Sequence, residues 1–472
     1  APPAVTVAAD DARADLRLMR RALETIHPGL HRRASKAEMD RAFDALEASV
    51  DGPVADSELY RRIAATLALI RCSHTKAEQT PAMEAWRTDN PSHLPLRFRL
   101  IDGRMIVVSS DPAQATLPRG AEILSINGMS PKALVKALAP YVAIDGFTDW
   151  VRPTFLADDS DLMGADLDHY FPYVFGFPAK FDIAYREADR VPVRRISLAP
   201  ISFRKWTTLD NDGRKYRLNF GEDTRWRMLD AATGYIEIPT FVNYRKPADA
   251  AALYARALAE LQAQGATRLV VDFRANGGGS NDAALALIDA LADKPYTYQK
   301  AVRLKAVRYG DLPEHISTWG DRDALFNAPL DRFTPAPGGA FDLKREFSPD
   351  ELKPRAPAAN AFKGPVVVLI GPANASGATM TAAKLKDMGR VTLVGARAGG
   401  SADGPTAGNI FMFKLPKSGI VVRIPNAWNA MDVARFDPKG GIRPDVVVEE
   451  TVADYRARRD RALEKAVEIL KR

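Results

Sequence analysis

The sequence predicts an α/β protein preceded by a smaller helical part, on three observations. Apolar strand-like runs at residues 234–238, 267–273 and 365–370 alternate with helix-patterned runs at 249–264, 281–292 and 377–388, and such alternation favours a largely parallel sheet. Upstream, Leu16, Met19, Leu23 and Ile26 recur at spacings of three and four, the signature of one helix face. The chain's 472 residues also exceed one ordinary core, while 46% apolar and 26% charged residues is the balance of a folded chain.

The elements follow in order. Residues 1–92 read as a helical domain: the first helix breaks at Pro28 and Gly29, and runs 36–50 and 56–70 repeat the pattern, with Ser57 before Glu58 as a helix entry. Residues 93–200 change to short strands and turns. Runs 97–101 and 105–108 flank Asp102 and Gly103, a hairpin signal. Residues 117–128 then end in Ile126-Asn127-Gly128 ahead of a helical stretch at 131–141, and 150–180 is rich in aromatics without a clear assignment. Residues 201–472 hold the α/β unit. Within it, 295–360 is Pro/Gly-rich and reads as a surface excursion, a lid or specificity element, and 452–472 as a charged amphipathic helix.

Several function classes are disfavoured. The net charge of +7 is scattered, as in Arg456, Arg458, Arg459 and Arg461 around Asp460 and Glu464, so the clustered footprint of a nucleic-acid binder is missing. Cys72 is the only cysteine, which leaves no internal disulfide and no cysteine-based metal site to expect. No apolar run approaches the ~20 residues of a membrane span, so no stable membrane insertion is expected. The chain opens on Ala1 with small uncharged residues, which reads as a mature exported protein, periplasmic or secreted.

Two strand-to-helix junctions could carry chemistry. Asn276-Gly277-Gly278-Gly279 leaves backbone N–H groups unshielded, as an anion or oxyanion site requires, although a tight packing turn would look alike. Ser376-Gly377 opens a helix, where free N–H groups favour negative charge; a plain N-cap serine is the alternative. A nucleophilic serine needs a base, and His27, His31, His74, His93, His169 and His315 are the histidines available. His74, beside Ser73, stands just past an apolar helix.

Runs 234–241, 269–279 and 367–377, with 393–396 and 441–445 following in order, resemble the core of the tail-specific (C-terminal processing) serine proteases. The resemblance implies a ClpP/crotonase-like protease core over 201–472. Residues 93–200 similarly resemble a PDZ domain, which would bind extended peptide by strand addition. In one branch of the family a lysine lies 25 residues after the serine; here that position is Ser401, and Lys384 and Lys386 do not match. The Ser73-His74 pair instead resembles the histidine-type site of the tricorn core protease.

The resemblance thus implies Ser376 as nucleophile, His74 as general base, Ser73 as its support, and Gly377 with Gly278 or Gly277 as the oxyanion hole. It implies Asp437 as the orienting acid, with Asp432 as second candidate, and no metal or organic cofactor. Partners would be peptides or proteins. The alternatives are a non-catalytic peptide- or lipid-like-ligand-binding protein on the same fold, and an acyl-thioester enzyme using the glycine loop.

Overall fold

The computed structural model describes residues 1–158 and 161–472. Its central sheet runs, in spatial order, Val446–Val447, Thr392–Gly395, Val366–Ile370, Arg268–Asp272, Thr233–Glu237 and Arg225–Met228. Every pairing is parallel except the last, which adds an antiparallel edge. These strands read as continuous apolar runs because both faces are covered. Val271, Val368 and Ile370 pack under helices Ala250–Ala263, Asn281–Leu291 and Ser376–Asp387. Val270, Val367 and Leu369 face the C-terminal helix Arg461–Leu470. The charged tail is two helices rather than one, since Val452–Ala457 ends at Arg458, whose φ of +54° stops it.

The 295–360 region is not a bare excursion. It supplies Gln299–Leu304, Ile316–Ser317, Phe333–Ala336 and Ala340–Leu343 to a second, wholly antiparallel sheet built around the long hairpin Thr406–Lys414 and Val421–Met431. Periodicity misses these strands because much of each is half-buried. That sheet also takes in Ala77–Glu78 from the N-terminal part, which pairs antiparallel with Val421 and Val422.

The N-terminal helices are Ala9–Ile26, Lys36–Ala48, Asp56–Ala68 and Pro81–Asp89. The third begins at Asp56 rather than at Ser57, because the Asp56 carboxylate already accepts from the N–H of Val5 and of Ser57. These helices share one apolar core with the antiparallel sheet, through Leu16, Met19 and Leu23 on one side and Phe413, Ile420 and Val422 on the other. Asp15, fully buried in the first helix, accepts from the N–H groups of Lys417 and Ser418 and from the Ser418 hydroxyl. Asp15→Ala strands three donors, and the expected loss is about 3 kcal/mol of stability, read as a lower urea midpoint.

Residues 93–200 form a five-stranded antiparallel meander: Leu96–Ile101, Arg104–Ser110, Glu122–Ile126, Phe181–Arg186 and Arg194–Leu198. The hairpin turn is where the sequence puts it, with Asp102 at φ +52° and Gly103 at +73°. Between its third and fourth strands lie helices Pro131–Leu138, Arg152–Ala157 and Asp166–Phe175, the last two accounting for the aromatic-rich stretch. The loop at residues 143–148, between the first two of these helices, reaches the candidate site.

Candidate active site

The two glycine-bearing junctions leave the carboxyl ends of adjacent parallel strands, because Asp272 pairs in register with Leu369. In open α/β sheets this edge is where ligands bind. Asn374 stitches the loops together, its amide donating to the carbonyls of Phe273 (2.6 Å) and Asn276 (2.9 Å). The approach is close: a Cβ on Gly278 would lie 2.8 Å from Ser376 Cβ and 2.9 Å from Gly377 N, and Gly278 itself sits at φ +109°. Glycine is therefore required there by space as well as by backbone angle.

Ser376 is the first residue of its helix and has φ +44°, left-handed for a residue with a Cβ. Such a conformation costs on the order of 1–3 kcal/mol and is typical of functional positions. The N-cap position is Ala375, and no side chain caps the helix. Ser376 is thus not a capping serine. Its half-buried side chain sits on a strained strand-to-helix turn, as nucleophile elbows do.

Of the candidate oxyanion donors, Gly377 lies in the first helical turn, where N–H groups have no intrahelical partner. Gly278 does not offer its N–H freely, because it donates to Asn276 Oδ1 at 2.8 Å. Gly277 is exposed and its N–H makes no hydrogen bond among the described residues. Elsewhere in the same loop, Asp272 and Arg274 are structural: Arg274 pairs with Asp272 (2.6 Å) and Asp460 (2.7 Å), which locks the C-terminal helix to the sheet.

The histidine side of the site is held from four directions. Ala77–Glu78 is in the antiparallel sheet, and Arg423 N–H donates to the Lys76 carbonyl, fixing the chain just after His74. The Cys72 thiol faces the Thr406 carbonyl at 3.5 Å. Buried His27 bonds Thr75 Oγ1 at 2.7 Å through Nε2; since His27 Nδ1 accepts from Gly29 N–H, Nε2 carries the proton and donates. Finally, Ser73 gives both its N–H (2.9 Å) and its hydroxyl (2.8 Å) to the buried carboxylate of Asp145.

Asp145 is a buried carboxylate beside the Ser73-His74 pair that the sequence analysis does not single out. It lies in the PDZ-like segment, far from any of the compared motifs. The ligand atoms of Cys72, His74 and Asp145 lie within 4.8 Å of one another. Asp437, the acid expected, is otherwise engaged: its carboxylate pairs with Arg397 (3.0 Å) and accepts from Lys439 N–H (2.9 Å). None of its hydrogen bonds among the described residues reaches Ser73 or His74. Asp432 likewise sits beside Lys384, whose Nζ is 3.6 Å away.

His74 is half-buried, and its Nδ1 is buried with no hydrogen-bond partner among the described residues. Desolvation lowers its pKa from the ordinary histidine value, and the negative charges of Asp145 and Asp161 partly offset this, while Lys76 and Arg423 add to it. His27 is different. Full burial drives it down to about 3, and both its nitrogens are used, so it cannot serve as a base. The lysines after Ser376 are also committed, Lys384 to the Asp432 carbonyl and Lys386 to Asp445 at 2.9 Å.

The Ser376 helix and the Asp145 turn are linked by packing. Thr379, one turn after Ser376, donates to the Gly399 carbonyl (3.1 Å), and Gly441 N–H donates to the Gly400 carbonyl (2.7 Å). Neighbouring Gly440 fits against Thr148 and the Asp145 carbonyl, where a Cβ would come within 3.1 and 3.3 Å. Phe147 N–H donates to the Lys439 carbonyl. The loop carrying Asp437 is thus the spacer between the helix that Ser376 opens and the Asp145 turn.

Comparison with known proteins bears on the same region. Residues 232–448 match the model of peptidase family S41. The fold is similar to that of mature CPAF, at 15% identity and a TM-score of 0.64, covering 98% of this chain and 97% of that one. Mature CPAF complexed with lactacystin gives the same identity and TM-score, with 98% of each chain covered. The photosystem II D1 C-terminal processing protease is 17% identical over 93% of each chain, with a TM-score of 0.44. No curated protein matches the sequence. At such identities the structural likenesses speak to the fold alone.

Proposed function

From the premise that this chain carries a peptidase family S41 domain at residues 232–448 and is a serine peptidase, we propose that Ser376 is its nucleophile and His74 its general base. The observation that carries this reading is the strained, uncapped Ser376 packed against the glycine loop. Ser376 Oγ attacks the scissile carbonyl while His74 takes its proton, then returns it to the leaving amine. The N–H groups of Gly377 and Gly277 receive the developing oxyanion, each worth roughly 3–4 kcal/mol of barrier. Ser73, gripped twice by Asp145, fixes the turn that aims the imidazole.

The substrate is a peptide or protein. The meander at 93–200, read as PDZ-like, would hold extended chain by strand addition, and cleavage near substrate C-termini is proposed because such domains often capture a terminal carboxylate as well. No described helix is long and apolar enough to cross a membrane.

Labelling with a fluorophosphonate probe, followed by intact mass, tests the assignment. Wild type is expected to gain one adduct, and Ser376→Ala and His74→Ala none; an adduct on Ser376→Ala refutes the nucleophile. A pH profile tests the base. His74 must be neutral to act, so kcat/KM rises with pH through its pKa, and desolvation places that midpoint below the ordinary value of about 6.5. Asp145→Asn removes a charge that favours the imidazolium, so the acid limb moves to still lower pH.

A further inference from the structure

We propose that Cys72, His74 and Asp145 form a binding site for a zinc-class divalent cation, and that the ion switches the peptidase off by occupying the base. The off-switch half of this inference rests on the reading of His74 as general base; the binding half does not.

The donors suit the ion. One thiol, one imidazole and one carboxylate are the ligand types zinc takes, and the sulfur and nitrogen disfavour magnesium and calcium. The three ligand atoms already lie within 4.8 Å of one another. Tetrahedral zinc with its usual bond lengths needs ligand separations of roughly 3.4–3.6 Å, so the site closes by shifts of about 1 Å or less. A single cysteine rules out a multi-thiolate centre but not this mixed one.

The surroundings are those of a held set rather than a chance meeting of surface groups. Cys72 and Asp145 are 5% and 4% exposed. His74 Nδ1 is buried and satisfied by no described residue, an unusual state for a polar atom. Asp145 spends one lone pair of each oxygen on Ser73 and keeps others for a metal. The residues around them are anchored by the Ala77–Glu78 pairing, by Thr406 and by His27, so the donors are pre-positioned. An ordinary cysteine thiol carries its proton at neutral pH and binds metal only as the thiolate. Binding therefore exchanges that thiol proton, released to solvent, for the cation, with no redox change.

The experiment titrates Co2+, a spectroscopic stand-in for Zn2+, into the full chain carrying Ser376→Ala. One equivalent is expected to give a thiolate-to-cobalt charge-transfer band in the near ultraviolet. Zn2+ should bleach it, Cys72→Ser should abolish it, and Asp145→Asn should weaken binding at least tenfold. Absence of the band, or its persistence in Cys72→Ser, overturns the site. Proton release of about one per Zn2+ at neutral pH checks the same claim without a Cys72 variant, and no release overturns it. In the enzyme with Ser376 intact, Zn2+ should inhibit turnover, and the half-inhibiting concentration should rise at least tenfold in Cys72→Ser. Inhibition equally strong in that variant overturns the switch. A cobalt band in a chain without any turnover would support the site and refute the peptidase mechanism instead.

Discussion

Ser376→Ala is expected to lower kcat by on the order of 10⁶-fold on any peptide the wild type cleaves, with the melting temperature unchanged or raised. The size follows from the proposed role, since the nearest other hydroxyl of the glycine loop, Ser280, is already bonded to the N–H of Asn243. The direction of the stability effect follows from the backbone. Ser376 holds φ +44° without a capping bond to offset it, so removing its hydroxyl gives up no hydrogen bond of the described fold. Progress curves with a quenched peptide, read beside a thermal melt, check both halves. Residual activity within tenfold of wild type would move the nucleophile elsewhere.

The second large effect separates two carboxylates. Asp145→Ala is expected to cost kcat about 10²-fold with KM nearly constant, while Asp437→Ala stays within about threefold of wild type. Removing an acid that directly orients a catalytic histidine costs about 10⁴-fold in the serine protease template. Asp145 grips Ser73 by two hydrogen bonds, one residue from the imidazole, so a smaller figure applies. On the proposed mechanism Asp145 is thus a positioning residue. The displaced acid limb of Asp145→Asn, set against an unmoved limb in Asp437→Ala, distinguishes orientation of the base from a general loosening. Equal losses in both variants would restore Asp437 to the site.

Much of this was legible in the sequence, for identifiable reasons. The parallel strands announced themselves because they are apolar on both faces, and the two strand-to-helix junctions because glycine and serine there answer to backbone geometry. Ser73 and His74 could be picked out as a pair, and Ser401 standing where a lysine would be expected steered the reading to histidine. Asp145 could not be found that way. It sits between two helices of another segment, and only the bond to Ser73 gives it meaning. Gly278 and Gly277 could not be ranked either, because what separates them is a hydrogen bond from Gly278 to the Asn276 side chain. The strands within 295–360 escaped because half-buried strands lack a clean alternation.

The pairing of Ala77–Glu78 with Val421 and Val422 has a consequence for timing. The turn bearing His74 leaves the ribosome early, yet the strand that fixes it comes near the end of the chain, after Ser376. Contacts so distant in sequence form slowly, since the whole intervening loop must first be closed. A nascent or partly folded copy therefore carries a serine without an aimed base. With His74 as the base, the protein would spare its own unfolded siblings until the fold is complete, and a fragment beginning at residue 201 would stay inert however well it folded.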